Sequence, residues 1–257
     1  MTVNQPRRPT SARTPNAIGK VAAVVSALTD ESSTSEIARR TGLPSSTVHR
    51  ILQDLVAVGW AREDGNRGYL LGARLLALAG RATDQTSLVR AAHPTLQELS
   101  DRTGHAVHFA VRTGDEAVYI DKIEGSRAYQ MRSRVGLAIP LHCTAIGKAV
   151  LAALPEAEVR TVLTRAGMPA RTNHTITTAD AMVHHLEVVR AHGYSLDDEE
   201  NELSTRCIGA AVGDHSGSTI GGVSLSMLAF ELDPDRVPRL GALVVGAARQ
   251  ITEDLGG

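Results

Sequence analysis

Two short helical patterns lie close together near the N-terminus, separated by a turn that contains Gly42. Ser33 or Thr34 can cap the helix that precedes this turn, and Glu36 is placed to return a capping-box hydrogen bond to Ser33. Gly42 provides the backbone freedom of a tight turn, and Pro44 suits the first turn of the second helix because its missing N–H is not needed there. This spacing predicts a helix-turn-helix, whose second helix can enter the major groove of DNA.

The second helical pattern has one apolar face and one polar face. At about 100° per residue, the apolar side chains fall together on one side, namely Val48, Ile51, Leu52 and Leu55. Small and basic side chains fall on the other side, where short side chains allow a close approach to base edges. The residues of this helix that we predict to contact DNA are Ser45, Ser46, Thr47, His49 and Arg50.

Sequence on both sides extends this unit to a winged helix-turn-helix over residues 16–71. A further helix before these two is indicated by an apolar face formed by Ile18, Val21, Val25 and Leu28. After the second helix pattern, residues 60–63 and 69–71 have the composition of strands around a glycine-rich turn. This hairpin is the predicted wing, and it offers Arg62 and Arg67 to DNA phosphates.

The N-terminal part of the chain is basic and the remainder is acidic. Residues 1–90 hold 12 Lys+Arg against 7 Asp+Glu, a net charge of +5, while residues 91–257 hold 15 against 21, a net charge of −6. Residues 1–15 have little apolar content, so we predict a flexible basic arm with phosphate contacts from Arg7, Arg8 and Arg13. The alternative is that residues 16–71 form only a small three-helix packing unit with a solvated charged face.

The rest of the chain predicts a linker and a second domain. Residues 72–87 have the pattern of a connecting helix, and the second domain covers residues 88–257. Helical patterns lie at 88–103, 144–154, 156–166, 178–192 and 234–255, and strand patterns at 107–112, 117–123, 206–212 and 219–228. Strands that meet through hairpins, with helices between and outside them, favour an α+β domain on an antiparallel sheet.

Three segments of the second domain have the composition of a small-molecule pocket. Residues 140–149 lead a polar loop into a helix N-terminus, which attracts anions, and residues 194–200 concentrate four acids. Ser224 and Ser226 lie two apart on a strand, so their hydroxyls share one face. Apolar walls could come from Ile146 and Ile208. A small carboxylic acid, particularly a hydroxy or phenolic acid, is the predicted ligand.

Five segments together resemble the IclR family of bacterial transcriptional regulators, over nearly all of residues 16–255. They are LPSSTVHRIL at 43–52, PLHCTAIGKAVLA at 140–152, GYSLDDEE at 193–200, RCIGAAV at 206–212 and VSLS at 223–226. The resemblance implies a winged helix-turn-helix joined by a linker helix to a GAF-like effector domain, usually in dimers or tetramers. By motif position, the effector contacts implied are Ala145, Ile146, Asp197, Cys207, Ser224 and Ser226.

The predicted function is that of a regulator that binds double-stranded operator DNA as a homodimer or homotetramer and responds to a small organic acid or aromatic effector. The alternative is a metabolic enzyme, a hydrolase or transferase, with a fused regulatory winged helix. An enzyme needs a nucleophile, a base and an acid in one set, and the sequence offers no such set. We predict no enzymatic activity and no cofactor.

The remaining features have ordinary interpretations beside the functional ones. Cys143 and Cys207 are too few for a disulfide framework and can be small buried residues. The acidic run could bind a metal, but a solvated turn or helix-end hydrogen bonds are the favoured interpretation, and we predict no metal. His184 and His185 are expected on an exposed helix surface. With no secretory signal and no apolar run near the roughly 20 residues of a membrane span, the expected location is the cytoplasm.

Overall fold

A computed structural model describes residues 16–65, 68–75, 77–78, 87–126 and 131–256. Its internal contacts divide the chain into two units, Met1–Ala82 and Thr83–Gly257. Four predicted DNA contacts, Arg7, Arg8, Arg13 and Arg67, lie outside the described residues, as do residues 79–86 of the predicted linker helix.

As far as residue 71, the described part of the N-terminal unit has three helices followed by a two-stranded hairpin. Its elements are α1 (Ala17–Ala27), α2 (Thr34–Thr41), α3 (Ser45–Ala57), β1 (Ala61–Glu63) and β2 (Tyr69–Leu71). Ser33 caps α2 by accepting a hydrogen bond from the Glu36 backbone N–H at 3.3 Å, and its hydroxyl donates to the Glu36 carboxylate at 2.6 Å. Gly42 ends α2 in the left-handed conformation, with φ of 67°. The predicted winged helix-turn-helix is therefore present.

A single apolar core joins the three helices and the hairpin of this unit. The apolar face of α3 contributes Val48, Ile51, Leu52 and Leu55, all buried as its periodicity predicts. Val24 of α1 and Ile37 of α2 pack against that face. Because one face of α3 supplies the core, its opposite face is left for solvent.

The C-terminal unit combines six strands with five helices among the described residues. Its elements are α4 (Ser87–Thr103), β3 (Ala106–Thr113), β4 (Glu116–Ile123), β5 (Ala138–Pro140), α5 (Ala145–Ala152), α6 (Glu156–Ala166), α7 (Ala179–His192), β6 (Ser195–Asp198), β7 (Thr205–Gly213), β8 (Thr219–Leu228) and α8 (Val237–Asp254). Short 3₁₀ turns at Ala229–Glu231 and Pro234–Arg236 lead into α8. Across the described parts of both units, no helix has the length and apolar character that crossing a bilayer demands.

The six strands form one antiparallel sheet in the order β5-β4-β3-β8-β7-β6. Apolar residues of α4 and α8 pack on one face of the sheet, and α5, α6 and α7 form a second core on the other. Strand β3 shows the division, because Val107 and Phe109 belong to the first core while Ala110 belongs to the second. The α+β fold class predicted from the sequence is confirmed.

Two edge strands were not expected from the sequence. β5 has three residues and β6 four, and each pairs with a single neighbour, β4 and β7 respectively. In β6, the buried side chains are Ser195 and Asp197, so the strand lacks the apolar alternation by which strands are recognised. The expectation that the acidic run lies in a solvated turn or at a helix end is therefore wrong for Asp197 and Asp198, which lie in β6, whereas Glu199 and Glu200 follow in a bend.

Helix α5 lies unusually close to its neighbours, and two glycines make this possible. A Cβ on Gly209 of β7 would lie 2.7 Å from the Ala145 carbonyl carbon and 2.9 Å from the Ile146 nitrogen. A Cβ on Gly147, within α5, would lie 2.4 Å from the Cα and O of Leu141. Because these contacts are to backbone, no side-chain movement can relieve them. The position of the α5 N-terminus is therefore fixed by the absence of two side chains.

The first prediction compares two helical glycines that receive the same substitution. Gly147→Ala should lower the free energy of unfolding by about 1–3 kcal/mol, because the added methyl group overlaps backbone. Gly246→Ala in α8, where the new Cβ meets nothing within 4 Å, should instead raise it by about 0.5–1 kcal/mol through helix propensity. Chemical denaturation of both variants and the parent chain measures the difference. Equal effects would contradict the close approach of α5.

Candidate functional site

The polar face of α3 is open to solvent, as the sequence predicted. Ser45, Ser46, His49 and Arg50 are exposed, and Thr47 is half-buried at the first turn. The predicted DNA contacts on this helix therefore lie on one surface. The face carries two serine hydroxyls, an imidazole and a guanidinium, the kinds of group that donate hydrogen bonds to base edges and phosphates.

The wing stands beside α3 and is fastened to it. Strands β1 and β2 pair antiparallel with Arg62 opposite Leu70, and Arg62 forms an exposed ion pair with Asp64 at 3.3 Å. Gln53 of α3 donates through Nε2 to the Tyr69 hydroxyl at 2.8 Å. This side chain lies on the exposed face of α3, and the sequence did not indicate that it holds the wing against the helix.

The six effector contacts implied by the family resemblance line one cavity of the C-terminal unit. The cavity has a volume of about 80 Å³ and lies between the sheet and the N-terminus of α5. The six residues are Ala145, Ile146, Asp197, Cys207, Ser224 and Ser226. Ile208, which we expected to form an apolar wall, instead packs into the core on the opposite face of the sheet, because neighbouring residues of a strand point to opposite sides.

Strand register explains why residues far apart in the sequence meet here. Residues directly opposite each other on neighbouring strands project from the same face of a sheet. One row across β6, β7 and β8 contains Asp197, Cys207 and Ser226. The next row runs from Ser195 across five strands, through Gly209, Ser224 and His108, to Lys122. The cavity is thus built on two adjacent cross-strand rows.

The N-terminus of α5 forms the roof of the cavity. Thr144 caps the helix, accepting from the Gly147 N–H at 3.1 Å and donating to the Pro140 carbonyl at 2.7 Å. Ala145 and Ile146 follow in the first helical turn, where N–H groups have no acceptor within the helix. Because those groups carry the positive end of the helix dipole, this roof favours an anionic atom in the cavity.

Asp197 is the acid of the cavity, and only 3% of it is exposed. Its Oδ1 accepts hydrogen bonds from the backbone N–H of Glu200 at 2.8 Å and of Asn201 at 3.3 Å. Burial raises the pKa of Asp197 to about 7, against the opposing effect of Lys148. Near neutral pH this carboxyl is therefore present in both forms, and the protonated form adds an O–H donor to the cavity.

A buried ion pair lies behind the cavity. Lys148 of α5 is fully buried, and its ammonium contacts the Glu200 carboxylate and donates to the Leu196 carbonyl at 2.5 Å. Burial raises the pKa of Glu200, while the attraction of Lys148 lowers it. The acidic run thus turns two of its four carboxyls, Asp197 and Glu200, inward. Within the described residues, no group of His, Cys, Asp and Glu could hold a metal ion.

Among the lining residues that the sequence did not indicate are three whose contacts are not local. His108 and Tyr119 lie on β3 and β4 with ring centroids 4.9 Å apart, and Ser133 is 2.6 Å from His108 Nε2. A bulge after Phe109 shifts the register so that Tyr119, rather than Ile120, faces the cavity. Burial and the charge of Lys122 lower the pKa of His108 to about 3, and burial raises that of Tyr119.

Neither cysteine has the surroundings of a nucleophile. Burial raises the pKa of the Cys143 thiol to about 12 and raises the pKa of Cys207 as well, so both thiols stay protonated. His142, next to Cys143, is bonded to the Pro169 carbonyl at 3.1 Å. His185 was expected on an exposed surface but is half-buried, and burial together with Lys148 lowers its pKa to about 4.

Larger depressions exist on this unit but lack the same convergence of polar groups. A groove of about 430 Å³ lies beside α6, with Asp115 and Arg171 among its lining residues. Asp115 is already paired to Arg165, and Arg171 to the Asn201 carbonyl at 3.4 Å. The smaller cavity brings together buried polar side chains from three strands under a helix N-terminus. We therefore assign it as the candidate ligand site.

Comparison with known proteins covers both units. The model of the IclR helix-turn-helix domain matches residues 17–65, and that of the bacterial transcriptional regulator IclR C-terminal domain matches residues 80–253. Transcriptional repressor IclR of Escherichia coli (strain K12) is 33% identical over 226 residues, covering 87% of this chain and 82% of that protein.

Two solved structures are similar to the chain over nearly its whole length. The Thermotoga maritima IclR structure has a TM-score of 0.72 and 30% identity, covering 93% of this chain and 98% of that one. An IclR homolog from Microbacterium hydrocarbonoxydans, complexed with 4-hydroxybenzoate, has a TM-score of 0.74 and 25% identity, covering 92% and 97%. The second structure carries a phenolic acid as its ligand.

The second prediction follows from the buried carboxyl of Asp197. In the folded chain Asp197 keeps its proton up to about pH 7, whereas in the unfolded chain it loses the proton near pH ~4. Its contribution to stability is therefore fully present below about pH 4 and is lost as the pH rises to about 7. Relative to Asp197→Asn, the parent chain should lose up to a few kcal/mol across this range, as measured by denaturation at each pH.

Asp214→Asn is the matched control for this measurement. Hydrogen bonds from Ser216 lower the pKa of this exposed carboxylate, so its stabilising effect is lost only as the pH falls below about 4. The control should leave the difference between pH 4 and 7 flat. If the Asp197→Asn difference is flat as well, Asp197 is not the buried acid that the geometry indicates.

Proposed function

This chain belongs to the IclR family of bacterial transcriptional regulators. We propose that a small organic acid binds in the cavity of its C-terminal unit and thereby changes the affinity of the protein for operator DNA. The chain is a regulator with a helix-turn-helix DNA-binding domain, and the relatives it matches are named repressors and regulators. The alternative hypothesis of a metabolic enzyme is therefore wrong. One observation carries the ligand proposal: the six predicted effector contacts share a single cavity.

For the DNA side, we propose that α3 reads bases and that the wing and arm contact phosphates. Arg50 is exposed on α3, and its planar guanidinium suits bidentate hydrogen bonding to guanine. Arg62 of the wing is also exposed, and its surface ion pair with Asp64 is weak enough to exchange for a phosphate. The arm residues Arg7, Arg8 and Arg13, with Arg67 of the wing, are proposed as further phosphate contacts.

We propose that the chain binds as a homodimer or homotetramer. A helix-turn-helix covers only a short stretch of one major groove, and two copies related by a two-fold axis read two half-sites one helical turn apart. The operator should then be a rough palindrome. Light scattering of the full chain, with footprinting of the operator, tests this: a monomer that protects one undivided site contradicts it.

For the ligand, we propose a small carboxylic acid, with hydroxy and phenolic acids preferred. The α5 N-terminus favours the carboxylate, and the buried Ser224 and Ser226 hydroxyls can donate to it. Asp197 favours a ligand hydroxyl, since its carboxyl oxygens can accept a hydrogen bond in either protonation state. The volume of the cavity, about 80 Å³, is well below the roughly 300–1,000 Å³ of sites for drug-sized ligands. The size of the cavity therefore favours a small acid. The crystal complex of the homolog with 4-hydroxybenzoate supports this chemical class.

The proposed response follows from thermodynamic linkage. If the acid binds one arrangement of the protein better than another, and these arrangements differ in operator affinity, the acid must alter the affinity for the operator. By thermodynamic reciprocity, the operator must alter the affinity for the acid by the same factor. Such coupling is typically about 5–150-fold. The predicted linker helix, residues 72–87, is the proposed connection.

The third prediction concerns base recognition by α3. Arg50→Ala should weaken operator binding by about 1–3 kcal/mol and relax specificity at one base position, because a bidentate contact to a base is lost. Arg249→Ala on α8, which removes an exposed arginine of the other unit, is the control and should bind as the parent does. Binding is measured by fluorescence anisotropy on the operator and on single-base variants. Equal loss on operator and random DNA would make Arg50 a phosphate contact instead.

The fourth prediction concerns the two serines of the cavity. Ser224→Ala combined with Ser226→Ala should weaken acid binding about tenfold or more, since two hydrogen bonds to a charged group are lost. It should also abolish the effect of the acid on operator binding and leave ligand-free DNA affinity nearly unchanged. Calorimetry against glycolate, lactate and 4-hydroxybenzoate measures binding.

Ser218→Ala is the control for the serine variants, because Ser218 is exposed in the turn before β8. It should respond to acid as the parent chain does. Two results would contradict the site: no acid of the panel binds the parent chain, or the double variant responds as the parent does. In the second case the serines are only strand residues.

A further inference from the structure

His108 lies between two serines of the cavity wall, and both of its ring nitrogens are engaged. Nδ1 is 3.3 Å from Ser226 Oγ, and Nε2 is 2.6 Å from Ser133 Oγ. The ring is neutral, because burial and Lys122 hold its pKa far below its usual range. A neutral imidazole has one N–H donor and one acceptor nitrogen. The two hydrogen bonds must therefore run in the same direction from serine to serine.

The direction of these hydrogen bonds decides whether Ser226 offers the cavity a hydrogen-bond donor or only acceptor lone pairs. If Ser226 donates to Nδ1, the ring donates from Nε2 to Ser133, and Ser226 offers the cavity only its lone pairs. If Ser133 donates to Nε2, the ring donates from Nδ1 to Ser226, and the Ser226 hydroxyl hydrogen is left for the cavity. The first arrangement favours a ligand that donates, and the second favours one that accepts, such as a carboxylate.

Lys122 decides between these directions. Its Nζ donates to the backbone carbonyls of Met131 at 3.0 Å and Ser133 at 2.9 Å, so the ammonium lies on the Ser133 side of the His108 ring. Lys122 is mostly buried, and its charge acts on His108 although it also pairs with Glu124 at 2.6 Å. A nearby positive charge favours the tautomer that points its lone pair toward that charge. The favoured tautomer has Nε2 unprotonated.

We infer that His108 is a positioning residue that donates from Nδ1 to Ser226 and thereby directs the Ser226 hydroxyl hydrogen toward an acceptor in the cavity. Without ligand, the Cys207 thiol, which lies directly opposite Ser226 across β7 and β8, is an acceptor available to that hydrogen. A thiol sulfur is a weak acceptor, so a carboxylate oxygen displaces it. The inference rests on the proposed function only for the identity of this acceptor.

The tautomer itself can be measured without any ligand. Long-range ¹H–¹⁵N spectra of the full chain labelled at histidine distinguish a protonated from an unprotonated ring nitrogen, and the spectrum of His108→Gln assigns the signal. We expect His108 to have Nδ1 protonated and Nε2 unprotonated. Lys122→Met, which removes the charge and keeps the length of the side chain, should shift the population toward the Nε2–H form. An Nε2–H tautomer in the parent chain overturns the inference.

Two substitutions of His108 separate its two nitrogens. Asn places its amide nitrogen where His has Nδ1, so His108→Asn keeps a donor for Ser226, whereas Gln places its amide group at the position of Nε2. Calorimetry with lactate should show binding to His108→Asn within about threefold of the parent chain, and to His108→Gln weaker by about tenfold or more. The reverse order overturns the inference. Thermal melts of both variants confirm that each is folded.

Failure of this inference can be told apart from failure of the proposed function. If neither lactate nor any other acid of the panel binds the parent chain, the proposed function fails, and the ligand-free tautomer still decides the role of His108. If acids bind while His108 carries its hydrogen on Nε2, the proposed function stands and the inference fails.

Discussion

The cavity depends on the contact between the N-terminus of α5 and strand β7. Gly209 allows the Ala145 and Ile146 backbone to approach the sheet, and the buried Ser195 hydroxyl donates to the carbonyls of Ala145 at 2.5 Å and Gly209 at 3.3 Å. A side chain at Gly209 would push the helix end outward and remove its first-turn N–H groups from the space above the serines. Ser195 and Gly209 lie opposite each other on β6 and β7, so one holds the Ala145 carbonyl and the other leaves room for the helix backbone. Together they keep the helix end over the cavity.

Strand β8 contributes to the apolar core on one face and lines the candidate ligand cavity on the other. Val223, Leu225 and Met227 point into the core beneath α4 and α8, while Ser224 and Ser226 point into the cavity. Burial of three apolar side chains contributes roughly 1.5–3 kcal/mol each, which offsets the cost of burying hydroxyls on the opposite face. The period of two that builds a strand therefore separates the two roles without any insertion in the backbone.

The sequence was informative wherever a pattern is local and less so where partners are distant. The polar face of α3 and the shared face of Ser224 and Ser226 follow from helical and strand periods, so both could be predicted. His108 could not, because its role depends on a serine 118 residues later and another 25 residues later. Strand β6 was missed for a related reason: its buried side chains are polar, and their burial is explained only by the neighbouring strand and helix.

Buried charge behind the cavity connects its electrostatics to the placement of α5. Lys148 lies in the helix whose N-terminus forms the roof, and it contacts Glu200, whose backbone N–H in turn donates to Asp197. A buried ion pair contributes little net stability against apolar alternatives, yet removing one partner leaves an uncompensated charge. An anion entering beside Asp197 would favour protonation of that carboxyl, because like charges repel at short range. Binding of the proposed carboxylate ligand would therefore be coupled to proton uptake at Asp197, while the buried contact between Lys148 and Glu200 holds α5 in place.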